Sequence, residues 1–175
     1  MLLSDSLFSH VMTETTNPAA WPLTTATVAT DREMRALGRR LAENLRSGDL
    51  VVLSGPLGAG KTTLTQGLAE GLHVRGPITS PTFVLARTHP PLAGGPSLVH
   101  VDAYRIGDAV ELDDLDLDTE LPDSVTVIEW GAELAEGLAD QRLDIAIERH
   151  PDDRRTVHMT GVGSRWRYGS NRFGG

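Results

Sequence analysis

The residues best suited to chemistry lie in one glycine-rich stretch, residues 55–62, which reads Gly-Pro-Leu-Gly-Ala-Gly-Lys-Thr. This stretch matches the pattern G-x-x-x-x-G-K-[ST] of a phosphate-binding loop, whose backbone N–H groups surround phosphates while the lysine reaches the outer ones. Lys61 is the only lysine among the 16 Lys and Arg residues of the chain. The planar guanidinium of arginine does not fit where a compact ammonium must reach into a turn of backbone. The stretch therefore predicts a phosphate site; the alternative is a glycine-rich connection with a lysine on the surface.

Two carboxylates follow apolar runs and could complete this site. Asp102 ends the run of residues 97–102, and Glu129 ends the run of residues 125–129. In doubly wound sheets ligands gather outside the carboxyl ends of the strands, and Mg²⁺ usually takes only one or two oxygen ligands from the protein. We expect the Thr62 hydroxyl and Asp102 on the metal side of the site. Glu129 could bind the metal or orient the attacking water, and either carboxylate could instead be an ordinary strand-end or turn residue.

Two neighbouring side chains could add to the same chemistry. Ser80 lies in a Ser-Pro-Thr turn that could sense the outermost phosphate, as switch loops do, although such a turn is usually only a turn. Trp130 follows Glu129 directly and could lie in the core or anchor a protein partner.

The elements around the glycine stretch have the order that a phosphate loop requires. Residues 50–53 form a short apolar run typical of a buried strand, and leucines recur at helical spacing after the loop. An earlier helix is predicted from a capping box at residues 30–33 to near Gly48, and a late hairpin from the alternating residues 143–148 and 156–160. This order predicts an α/β fold, a three-layer P-loop NTPase with a mainly parallel sheet and antiparallel additions. We expect a flexible leader at residues 1–23, the P-loop domain at 24–163, and a basic flexible tail at 164–175.

Composition and charge exclude several classes of function. The chain of 175 residues has no cysteine and a net charge of −8, so we exclude thiol chemistry, disulfides and nucleic-acid binding through bulk electrostatics. Residues 106–141 contain no basic residue; their acidic centre lacks the spacing of a calcium loop and is either solvated or a docking surface. The arginines and aromatics after residue 163 could stack on bases, but a disordered terminus is the simpler interpretation. No signal peptide or membrane span is expected, which favours a cytoplasmic protein.

Four sequence blocks together resemble the TsaE family (also called YjeE), small ATPases of bacterial tRNA threonylcarbamoyladenosine synthesis. Their order and spacing also agree with that family, and the similarity runs over residues 24–160. The blocks are Leu-Gly-Ala-Gly-Lys-Thr-Thr at 57–63, Ser-Pro-Thr-Phe at 80–83, His-Val-Asp-Ala-Tyr-Arg at 100–105 and Ile-Glu-Trp at 128–130. The chain departs from the family at Pro56, where an acidic residue is usual, and this change leaves every phosphate and metal ligand in place.

The resemblance implies a set of ligands and partners. It implies ATP and Mg²⁺ as cofactors, with the metal at Thr62 and Glu129 and with Lys61, Asp102 and Glu129 as the catalytic residues. It implies TsaB and TsaD as partners, with tRNA reached indirectly through their complex. We expect no contact with a membrane, and slow hydrolysis in the absence of partners because no arginine finger is assured without them. The nucleotide contacts that it implies are Asp31, Gly58, Ala59, Gly60, Lys61, Thr62, Thr63, Asp102 and Arg154.

Two rival functions remain open at the level of sequence. A small-molecule kinase on the same fold needs an acceptor pocket and usually an arginine-bearing lid, and the acidic stretch supplies neither. A non-catalytic guanine-nucleotide switch reads its base with Asn-Lys-x-Asp, and the single lysine is already in the phosphate loop.

Overall fold

One seven-stranded sheet organises the part of the chain that the computed structural model describes, residues 20–81, 86–103, 117–130 and 139–167. Its strand order is β1-β7-β6-β2-β5-β4-β3. The strands are β1 (Ala20–Val28), β2 (Leu50–Ser54), β3 (Ala86–His89), β4 (Ser97–Asp102), β5 (Ser124–Glu129), β6 (Arg142–Arg149) and β7 (Arg155–Val162). The α-helices in the same residues are α1 (Asp31–Ala42), α2 (Lys61–Leu72) and α3 (Leu117–Glu120), with 3₁₀ turns at Leu121–Asp123 and Ser164–Trp166.

The centre of the sheet is parallel and its edges are antiparallel. The neighbours β6, β2, β5 and β4 run parallel to one another, whereas β3, β7 and β1 are added antiparallel. Strands β6 and β7 form the late hairpin that the alternation predicts. The α/β fold with antiparallel additions is therefore confirmed, and its parallel part is the block of four central strands.

Both faces of the central strands are apolar, as is usual for parallel strands covered on two sides. The larger core cluster joins one face, with Leu53 and Val127, to the buried sides of α1 and α2. The smaller cluster lies on the other face around Val52 and Ile128, with Leu121 and Ala139 packed against it. Helices α1 and α2 thus cover the face that includes the row of residues ending in Glu129.

Helices α1 and α2 pack so closely that their contact depends on glycine. A Cβ built on Gly67 of α2 would lie 2.3 Å from the backbone oxygen of Arg35, and one on Gly38 of α1 would lie 2.5 Å from that of Leu64. Such distances exclude any side chain unless one helix moves. The contact fixes the axis of α2, whose first residue is Lys61.

The start of α1 follows the predicted capping box with one variation. Thr30 is the N-cap, and its Oγ1 accepts a hydrogen bond from the Glu33 amide at 3.2 Å. The Glu33 carboxylate accepts from the amide of Ala29, one residue before the cap, at 2.6 Å. The helix ends at Ala42 rather than near Gly48.

The described chain extends beyond both predicted domain boundaries. Strand β1 begins at Ala20 rather than at residue 24, because its backbone pairs with β7 on both sides of a register shift between Pro22 and Thr24. At the other end, Trp166 is buried with 2% exposure, and Arg165 bonds both carboxylate oxygens of Asp49 at 3.1 and 3.0 Å. The predicted tail therefore starts with residues that belong to the packed domain.

Several predictions lie wholly or partly outside the described residues. They concern residues 1–19 of the leader, residues 168–175 of the tail, and most of the acidic stretch, at 106–116 and 131–138. In the residues that are described, no helix is both long and apolar enough to cross a bilayer.

Candidate functional site

The glycine-rich stretch forms a turn between the carboxyl end of β2 and the first residue of α2. Gly60 is the N-cap of α2 with a left-handed backbone, φ 104°, a conformation that glycine adopts without steric penalty. Gly55 has φ 148°, and a Cβ there would lie 2.6 Å from the backbone oxygen of Ile147. The stretch can follow this path only with glycine at both positions, and it leaves the first N–H groups of α2 pointing out of the helix end.

Lys61 is folded into the centre of this loop. Its Nζ donates to the backbone oxygens of Gly55 and Pro56 at 2.9 and 3.0 Å, and the residue is only 5% exposed. Burial lowers the pKa of Lys61 below its ordinary value, and the carboxylates of Glu129 and Asp102 act in the opposite direction. The ammonium is therefore held by the loop before any ligand arrives, and an ammonium has three donors.

Trp130 forms one wall beside this ammonium. The Nζ of Lys61 lies 3.6 Å from the centroid of a Trp130 ring, within the range of a cation–π contact. Trp130 has a left-handed backbone, φ 65°, and its amide bonds the backbone oxygen of Leu53 at 2.9 Å. The sequence and its family resemblance left Trp130 a place in the core, a partner contact or a role in shaping the site, and the structure puts its ring against the loop lysine.

The two predicted carboxylates lie side by side at the ends of neighbouring strands. Asp102 of β4 pairs in register with Glu129 of β5, and both are buried. Thr62 Oγ1 donates to Glu129 Oε1 at 3.1 Å and lies 3.4 Å from Oε2. Ser80 Oγ donates to Asp102 Oδ2 at 3.3 Å. The structure thus brings Thr62, Asp102 and Glu129 together beside the glycine-rich turn.

A buried histidine is the partner of Glu129 on the side of the sheet. His100 of β4 is 0% exposed, and its Nε2 lies 2.8 Å from Glu129 Oε1. In the sequence, His100 was noted only as part of the block at residues 100–105, and its contact with Glu129 was not predicted. Its position two residues before Asp102, on the same face of the strand, is the signal that could have revealed it.

The loop and the two carboxylates line one cavity of about 650 Å³. It includes most of the predicted site residues, together with Ser80, Trp130 and the exposed Leu57. Ala59 is fully buried and does not line the cavity. The lining residues are Asp31, Leu57, Gly58, Gly60, Lys61, Thr62, Thr63, Ser80, Asp102, Glu129, Trp130 and Arg155.

Arg154, like Ala59, is a predicted contact that does not line the cavity. Its Nε pairs with Asp152 within the β6–β7 turn at 2.6 Å, and 61% of its side chain is exposed. Arg155 lines the cavity instead, with 15% exposure and its Nη2 3.9 Å from Asp31 Oδ1. The alternation of the buried Val157 and Met159 puts Arg155 on the inward face, and this pattern could have corrected the assignment.

The oxygen donors fit a magnesium ion that is shared with a phosphate. Thr62 and Glu129 offer a hydroxyl and a carboxylate within hydrogen-bond distance of each other, both hard oxygen ligands. Among the described residues, no group of three or more His, Cys, Asp or Glu side chains is arranged to hold a metal ion. Because Mg²⁺ usually takes only one or two protein ligands and completes its shell with phosphates and water, this sparse set suits it.

A strand, a glycine loop and a helix that begins with a buried lysine, at the carboxyl end of parallel strands, define a P-loop NTPase fold. A family model described as "Threonylcarbamoyl adenosine biosynthesis protein TsaE" matches residues 28–157. The chain belongs to the TsaE family.

Individual relatives agree with this family over most of their length. A TsaE protein of Streptomyces coelicolor is 61% identical over 138 residues, which are 76% of this chain and 93% of that protein. One from Bacillus subtilis is 39% identical over 77% of this chain and 83% of its own. Both are described as tRNA threonylcarbamoyladenosine biosynthesis proteins. The crystal structure of YdiB from Bacillus subtilis superposes with a TM-score of 0.71 at 31% identity and covers 86% of this chain and 93% of YdiB.

Proposed function

We propose that this protein binds ATP with Mg²⁺ and hydrolyses it in support of a TsaB–TsaD complex that threonylcarbamoylates tRNA at the adenosine beside the anticodon. The observation that carries the proposal is the convergence of the Lys61 ammonium, the Thr62 hydroxyl and the Glu129 carboxylate at one cavity. The pathway is taken from the family and from the relatives' descriptions. The proposed function requires a cytoplasmic location.

The phosphates would be bound by backbone and by one cation. The N–H groups of residues 58–63 would donate to phosphate oxygens at the positive end of α2. Lys61 uses two of its three donors on Gly55 and Pro56, so it would bind a phosphate oxygen with the third and a second oxygen by exchanging one of the loop bonds. The cavity of about 650 Å³ beside this cation supports binding of a nucleotide rather than of a single small anion.

The hydrolytic step would depend on the two buried carboxylates. Thr62 and Glu129 would hold Mg²⁺, which supplies charge neutralisation for the phosphates when bound. Asp102, bonded to Ser80 and in register with Glu129, would orient the attacking water. Asp31 and Arg155, at the other side of the cavity, would contact the rest of the nucleotide.

Two features support slow turnover that partners accelerate. Arg155 is the arginine, among those described, that lines the cavity, and its guanidinium lies toward Asp31. Leu57, on the cavity rim, is 87% exposed. Without an arginine fixed on the terminal phosphate, P-loop hydrolases are slow, so we propose that TsaB and TsaD complete the site.

The test is ATP turnover by the purified chain with and without TsaB and TsaD. We expect slow hydrolysis alone, stimulation by the partners, and loss of both in Lys61→Ala and in Glu129→Ala. Arg39→Ala is a control, since Arg39 makes an exposed ion pair with Glu70 away from the cavity. Fast hydrolysis by the chain alone would contradict the proposal that TsaB and TsaD accelerate ATP turnover. Phosphate transfer to a metabolite, or tighter binding of GTP than of ATP, would favour a kinase or a switch.

A further inference from the structure

His100 is a polar residue on β4 between a core residue, Leu98, and a residue of the candidate site, Asp102. Alternate strand residues share a face, so Leu98, His100 and Asp102 lie on the side of the sheet that carries α2. Leu98 and His100 are both 0% exposed, and Leu98 belongs to the larger core cluster. A leucine or valine at position 100 would continue this row without any polar atom to satisfy.

The pairing of its two ring nitrogens is unequal. Nε2 bonds Glu129 Oε1 at 2.8 Å, whereas Nδ1 is buried without a partner among the described residues. An unpaired buried polar atom lowers stability. The side chain of His100 therefore makes one hydrogen bond, and its partner is a carboxylate of the site.

The bonds around Glu129 show what His100 contributes. Thr62 donates from the loop side and His100 from the sheet side, and both donors are closest to Oε1. Two donors from different elements fix the rotation of the carboxylate about its last bond. We infer that His100 is a positioning residue, which holds Glu129 in the orientation that binds the Mg²⁺ accompanying the nucleotide. This inference rests on the proposed function.

The consequence is a specific effect on the metal rather than on the nucleotide. A partner that orients a metal ligand typically changes metal affinity by about 10–100-fold when it is removed. His100 does not line the cavity, so its loss leaves the phosphate contacts of the loop in place. Mg²⁺ affinity should therefore fall while affinity for ATP without Mg²⁺ stays the same.

The chain allows matched substitutions at and near this position. Glutamine places its amide nitrogen the same number of bonds from Cβ as histidine Nε2, whereas asparagine is one bond shorter. His100→Gln should therefore restore the bond to Glu129, and His100→Asn and His100→Leu should not. His89→Leu is the control, because His89 is also buried with its Nε2 unpaired, but its Nδ1 bonds the Arg75 backbone oxygen rather than a carboxylate.

The experiment is calorimetric titration of each variant with a non-hydrolysable ATP analogue, in EDTA and over a series of Mg²⁺ concentrations, with thermal unfolding measured in parallel. We expect His100→Leu and His100→Asn to need at least about tenfold more Mg²⁺ than wild type for the same binding of the analogue. Their affinity for the analogue in EDTA should be unchanged. His100→Gln and His89→Leu should equal wild type in both conditions. The positioning role would be overturned if His100→Leu needed no more Mg²⁺ than wild type. It would also be overturned if His100→Gln needed as much Mg²⁺ as His100→Leu. Wild-type binding that does not respond to Mg²⁺ would instead overturn the proposed function and this inference with it.

Discussion

Replacing Lys61 by methionine should separate the charge of the loop lysine from its packing. Methionine keeps an apolar stem beside Trp130 but removes the donors to Gly55 and Pro56. A hydrogen bond to a charged group is worth about 1.5–3 kcal/mol. Taking about 3 kcal/mol for the lost contact with phosphate, ATP affinity should fall by roughly 100-fold, since 1.4 kcal/mol is a factor of ten.

The assay is calorimetric titration with Mg²⁺ and a non-hydrolysable ATP analogue, together with urea unfolding to establish that the variant is folded. Arg39→Met is the matched control because it removes the same charge from a pair whose two side chains are each 47% exposed, and exposed pairs contribute only about 0–1 kcal/mol to stability. We expect wild-type affinity for the control. A folded Lys61→Met whose affinity falls by less than about tenfold, or falls no more than that of Arg39→Met, would refute the reasoning.

Two predictions concern the frame around the site. Trp166→Ala should reduce the free energy of unfolding by about 3–5 kcal/mol, because the ring is 2% exposed; a loss below about 1 kcal/mol in urea unfolding would show that the ring is not packed. Burial lowers the pKa of His89 below 6.5, so the unfolded chain binds more protons and stability must rise with pH between the lowered pKa and 6.5. Urea unfolding across this range should show a smaller rise in His89→Leu, and an equal rise would contradict the burial of His89.

The phosphate loop and its carboxylates were predictable because each depends on local sequence and one topological rule. The glycines and Lys61 are recognisable from spacing alone. Asp102 and Glu129 end apolar runs, and parallel strands bring such ends together. The cap at Thr30 was equally local, since its bonds join residues only a few positions apart.

The features that sequence missed depend on contacts between distant residues or on a shift of one residue. Arg165 reaches Asp49 across 116 positions, so no local pattern marks the end of the domain. Arg154 and Arg155 are adjacent, so an error of one residue in the assignment exchanges the exposed turn arginine for the one that lines the cavity. The bond of His100 to Glu129 becomes visible only once β4 and β5 are paired.

The most direct test of the central claim is a crystal structure of this protein with Mg²⁺ and a non-hydrolysable ATP analogue. We expect the triphosphate inside the turn of residues 55–62, with Lys61 Nζ about 2.7–2.9 Å from β- and γ-phosphate oxygens and Mg²⁺ between Thr62, Glu129 and the phosphates. An analogue bound elsewhere, with the turn empty and Lys61 directed into solvent, would contradict it.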